Sequence, residues 1–128
     1  MKKLFATSLV FFCLCAPLVS QKLLKRDGRK QFAYVLRLIP RLRGEQNWTE
    51  QDNAAVGRRF RRLQQLHKEG KLVLAGKTLD DVDESQFGVV ILEVSSVEEA
   101  RKIMEEDDAV RAGIMTAQFF PFRVALIK

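Results

Sequence analysis

Segments of period-two and period-3.6 hydrophobicity follow one another in the order β-α-β-β-α-β. This predicts an α+β domain of four antiparallel strands with two helices on one face. Three observations carry that expectation. The 128 residues are 47% hydrophobic and 30% charged, enough for one core and too few for two. Short β-branched and aromatic runs alternate with longer amphipathic ones. Capping residues and glycines stand at the ends of the longer runs.

Phe32 to Ile39 places Phe32, Tyr34, Leu36 and Leu38 on one face of a first strand and Ala33, Val35, Arg37 and Ile39 on the other, and Pro40 ends it. Thr49 is a good N-cap with Asp52 three residues on, so a helix is expected from Glu50 to about Glu69, closed by Gly70 in the left-handed conformation. At 100° per residue its apolar stripe is Val56, Phe60, Leu63 and His67, with Arg59 at the margin and Arg58, Arg61, Arg62, Gln65 and Lys68 opposite. A short strand at Lys71–Gly76, an acidic loop over Lys77–Ser85 and a strong strand at Phe87–Val94 follow. Ser95 and Ser96 are alternative caps for a second helix ending near Glu105. After a turn over Asp107–Gly113, a final strand spans Met115 to Ile127, with Pro121 requiring an edge or a bulge. The arrangement is ferredoxin-like, and its helix-free sheet face needs a cover, for which a second copy of the chain is the expected partner.

Residues 1–20 read as a secretory signal peptide. Lys2 and Lys3 precede a charge-free apolar run from Leu4 to Val19, too short to cross a bilayer comfortably. The expectation is cleavage near Ser20 and a secreted or periplasmic protein, with a retained membrane anchor as the alternative. Residues 21–31 read as a flexible basic tail and 32–128 as the folded domain. Both cysteines lie in the first twenty residues, so the mature domain has no disulfide, thiol nucleophile or thiolate metal site. Its charge is divided: Gln21–Lys77 carries 15 basic and 5 acidic residues, and Thr78–Lys128 carries 5 and 11. Such halves attract one another within a fold or between protomers.

The run Leu63 to Gly76 (LQQLHKEGKLVLAG), Ser96-Val-Glu-Glu-Ala100 and Glu106 to Gly113 (EDDAVRAG) resemble the YciI-like, YCII-related family, with Pro121-Phe122 ending the last strand. The similarity covers Phe32 to about Val124. It implies a dimeric α+β barrel of ferredoxin-like protomers, in a wider group that includes isomerases and lyases. It also implies an acid–base dyad of a helical His and the Asp of the turn after the second helix. The Asp matches Asp107, whereas the His position holds Arg59, and Lys77 and Asp108 stand where prolines are common. A guanidinium binds an anion or orients a carboxylate but is no ordinary general base.

The candidate site is therefore His67, Arg59 and Asp107. His67, the only histidine, offers a tunable proton or simply fills space near a helix end. Asp107 either pairs with Arg59 or belongs to a solvated row, Glu105 to Asp108. Arg58-Arg-Phe-Arg-Arg62 has the charge for phosphate but no recognition motif, so a solvated helix face is expected and nucleic acid is not. Asp80, Asp81, Asp83 and Glu84 lack the Gly and Glu spacing of a calcium loop, and one His without Cys makes zinc the less favoured metal. Asn47-Trp-Thr49 is a glycosylation acceptor only in a eukaryotic secretory host. No cofactor motif is present among the seven glycines. Phe120 and Phe122, with Tyr34, Leu36 and Leu38, are expected between paired sheets, as dimer contacts or as a cavity lining. Two functions follow: a module binding a protein or a small ligand, with a small anion as the candidate ligand, and a cofactor-free lyase or isomerase acting on an anionic cyclic metabolite.

Overall fold

The structure, a computed structural model, describes residues 28–79 and 84–128. The signal-peptide reading and Asp80, Asp81 and Asp83 lie outside the described residues. The strands are β1 (Lys30–Leu38), β2 (Leu72–Lys77), β3 (Gly88–Val94) and β4 (Met115–Phe122), and the helices are α1 (Glu50–Lys68), α2 (Val97–Glu105) and the single turn α3 (Asp108–Arg111). The sheet order is β2-β3-β1-β4 with every pairing antiparallel, the arrangement expected of this fold. β1 begins at Lys30, so the last two residues of the stretch read as a tail are paired in the sheet.

The local signals act as elementary chemistry dictates. The Thr49 hydroxyl accepts from the Asp52 N–H while the Asp52 carboxylate accepts from the Thr49 N–H, a complete capping box. Gly70 takes the left-handed conformation at φ 72° just past α1, where a side chain would be strained. Of the two serines, Ser96 caps α2 by accepting from the Glu99 N–H. α3, within the stretch read as a plain turn, is started by Asp107, whose Oδ1 accepts from the Ala109 N–H. β4 is an edge strand, which is where Pro121 is tolerated. It stops at Phe122, five residues short of the expected end, and residues 123–128 have no regular structure.

One core cluster joins Phe32, Tyr34 and Leu36 of β1 and Val90, Leu92 and Val94 of β3 to Leu63 and Leu66 of α1 and Ala100 and Ile103 of α2. A second, smaller one holds Leu42, Ala55, Ala109 and Ile114. Register corrects the expectation that Tyr34 and Leu36 share a face with Phe120 and Phe122. Tyr34 stands opposite Phe119 and Ala33 opposite Phe120, so the two phenylalanines lie on the helix-free face and Tyr34 lies under the helices. On that open face Leu74, Ile91, Ala33 and Phe120 form one row across all four strands. Leu74 (47%), Phe120 (44%) and Phe122 (45%) remain nearly half exposed there.

At the start of α1, Arg41 grips Asp52 with two N–H donors at 2.9 and 3.0 Å. Those bonds, then the Thr49 N–H, hold the Asp52 carboxyl well below the usual carboxylate range. A lowered folded-state pKa adds stability that is complete above the unfolded value, about 3.9, and is lost as pH falls toward the folded one. Denaturant unfolding should therefore show a gap between the wild type and Asp52→Asn that is largest near neutral pH and shrinks below about pH 4. A gap independent of pH would contradict this.

Candidate functional site

The arginine run of α1 faces the acidic turn after α2, and the two neutralise one another. Arg58 Nε lies 3.5 Å from Asp108, Arg59 Nε 2.9 Å from Asp107, and Arg62 Nη2 3.1 Å from Glu106. Arg62 also donates to the Glu106 carbonyl, and its contact lowers the Glu106 carboxyl from its ordinary range. The expectation of a solvated arginine face therefore holds for the exposed Arg61, while these three arginines are engaged. The outer pairs are exposed enough to contribute little.

The central pair differs. Asp107 is 2% exposed, and its carboxylate receives three donors: Arg59 Nε and the Tyr34 hydroxyl on Oδ2, at 2.9 and 3.1 Å, and the Ala109 N–H on Oδ1 at 3.0 Å. It is therefore not part of a solvated row. Burial, and then the negative charge of Asp107, push the Tyr34 hydroxyl far above its ordinary pKa, so it stays a donor at any physiological pH. Sequence reasoning missed Tyr34. A buried tyrosine hydroxyl needs an acceptor, and that requirement was the available signal.

The inward face of α1 includes Arg59 of this pair. Its buried residues are Asp52, Ala55, Leu63 and Leu66, with Arg59 and Arg62 half-buried beside them. At 100° per residue this arc is rotated by about 80° from the apolar stripe Val56, Phe60, Leu63, His67. Phe60 is consequently 62% exposed, and His67 is exposed rather than filling the core. Both line a groove of about 1150 Å³ between α1 and the β2–β3 side of the sheet, with Leu38, Trp48, Val56 and Phe87 among its other walls.

Of the three expected site residues, Arg59 and Asp107 meet and His67 stands apart. Arg59 and His67 both line the groove, but eight helical residues separate them by about 12 Å along the axis. Asp107 lies behind Arg59 and is not a wall of the groove. No hydrogen bond joins the His67 ring to Arg59 or Asp107 among the described residues. Nor do three or more His, Cys, Asp or Glu side chains converge there as a metal-binding set. No helix among the described residues is long and apolar enough to cross a membrane.

Comparison with known proteins adds one positive result: the model of a family described as YCII-related domain matches residues 34–123. That span includes Tyr34, Arg59, His67 and Asp107. No curated protein matches the chain.

Proposed function

We propose that this chain, which belongs to the YCII-related domain family, is a binding module for a small molecule that occupies the groove between α1 and β2. The observation that carries the reading is the outward turn of α1. It leaves Val56, Phe60 and His67 on a concave wall although the first two have an apolar stripe's usual reason to be buried. At about 1150 Å³ the groove is slightly larger than the roughly 300–1,000 Å³ usual for small-molecule sites and has room for a metabolite-sized ligand. Catalysis as a lyase or isomerase stands second, because His67, the imidazole on the groove wall, makes no hydrogen bond with Asp107 among the described residues.

The helix-free sheet face supports a homodimer as the second part of the proposal, since Phe120, Phe122 and Leu74 need cover. Export after removal of residues 1–20, with membrane anchoring as the alternative, completes it on the strength of the charged and then apolar N-terminal pattern.

A metabolite screen read by thermal stability tests the groove, with wild type compared against Val56→Trp, whose indole would fill it. Compounds that raise the wild-type Tm and leave the variant unmoved are the expected result. A screen in which no compound distinguishes the two contradicts the proposal. For any ligand found, His67→Gln should bind it and leave it chemically unchanged, as the wild type does. Turnover by the wild type that is lost in His67→Gln would favour the enzyme instead.

A further inference from the structure

The charge of the groove is one-signed. Among the described residues its ionisable walls are Arg59, His67, Lys68 and Lys77, and none is a carboxylate. Around these lie Phe60 and Phe87, each more than a third exposed. A cavity with apolar walls, a few neutral amides (Asn53, Gln64, Gln86) and basic but no acidic side chains among the described residues complements an apolar molecule that carries a negative charge.

Among those cations Arg59 is the one fixed from behind. Its Nε is bonded to Asp107, and its side chain is only 17% exposed. The two Nη groups have no protein acceptor among the described residues, whereas the Nη groups of neighbouring Arg62 are both used on Glu106. A guanidinium presents its donors as a rigid planar fork, so fixing Nε also fixes the direction of the Nη edge. Asp107 is itself fixed by Tyr34 and by the first turn of α3. Arg59 is thus pre-organised, and little side-chain freedom is lost when an anion binds.

We infer that the ligand is an apolar monoanion of the carboxylate class, an aryl- or alkyl-carboxylate seated with its charge on the Nη edge of Arg59. We infer further that Tyr34 is a positioning residue that sets the strength of this contact through Asp107. This rests on the groove reading above and adds the chemical class of the occupant. Tyr34 touches no ligand, because its hydroxyl is buried against Asp107 on the far side of the guanidinium.

The test uses phenylbutyrate and its uncharged amide, close in shape and different in charge. Binding is followed by calorimetry and by emission from Trp48, the only tryptophan, which lies on the groove wall. The wild type should prefer the carboxylate by about tenfold or more, the size of a charge-assisted bidentate contact. Arg59→Gln should abolish the preference and leave amide affinity within about twofold. Arg58→Gln, outside the groove, should keep the preference. Tyr34→Phe should reduce it several-fold with amide affinity unchanged, which a loosened fold would not do, since that weakens both probes together.

Equal binding of both probes by the wild type would overturn the carboxylate assignment and leave the groove standing. Binding of neither probe would overturn the assignment, and the metabolite screen with Val56→Trp would then decide the groove separately. A preference that survives Arg59→Gln would remove the anion from Arg59. Equal loss for both probes in Tyr34→Phe would make Tyr34 structural only.

Discussion

Replacing Asp107 by Ala should destabilise the domain by about 4 kcal/mol, because it leaves a largely buried guanidinium and a buried hydroxyl without their shared acceptor. The side-chain cap of α3 goes with it, typically about 1 kcal/mol of such a loss. In a domain of roughly 100 residues each kcal/mol moves Tm by about 4–8 °C, so thermal unfolding should fall by about 15 °C or more. Adding Arg59→Leu should recover part of the loss, since it removes the stranded charge. The same replacement at Asp108, which is paired at 3.5 Å with a mostly exposed Arg58, should cost under about 1 kcal/mol. Equal small effects at both positions would mean that Asp107 is a solvated carboxylate after all.

The second large effect belongs to the open sheet face. In a homodimer with two-fold symmetry each substitution acts twice. Phe120→Asp places a charge at the β4 end of the apolar row that Ala33, Ile91 and Leu74 continue. A buried aromatic anchor is typically worth about 2 kcal/mol, so two copies should weaken the dimer by about 4 kcal/mol, roughly a thousandfold in Kd. Sedimentation at micromolar concentration should then show dimers for the wild type and monomers for the variant. A wild type that sediments as a monomer would remove the proposed partner.

Most of the fold was legible because local chemistry and tertiary structure agree. Thr49, Asp52, Gly70, Ser96 and Pro121 each have a role that depends on a few neighbouring atoms, and each performs it. The errors came where a distant partner decides. β1 is apolar on both faces, so alternation alone does not say whether Tyr34 or Ala33 meets Phe120, and register with β4 settles it. α1 was placed by hydropathy with Phe60 inward. In the structure Arg59 turns inward to a carboxylate 48 residues away, and Phe60 faces outward. The Tyr34 hydroxyl finds its acceptor 73 residues on, beyond the reach of any spacing rule. α3 escaped notice because a four-residue helix has no period to read.

The candidate site divides in the same way. The likeness to the family pointed to Arg59 and Asp107, and their side chains meet at 2.9 Å. His67, a candidate as the only histidine, lies on the predicted stripe eight helical residues from Arg59, about 12 Å along the axis and too far for a single contact. What the stripe marked was the wall of a groove.

The central claim is that Arg59 is anchored from within by Asp107 while it lines that groove. Its most direct test is the side-chain N–H exchange of arginines by nuclear magnetic resonance. The Arg59 Nε–H should exchange with solvent far more slowly than that of exposed Arg61, and should lose that protection in Asp107→Ala under conditions where the variant remains folded. An Arg59 signal exchanging as fast as that of Arg61 in the wild type would contradict the account.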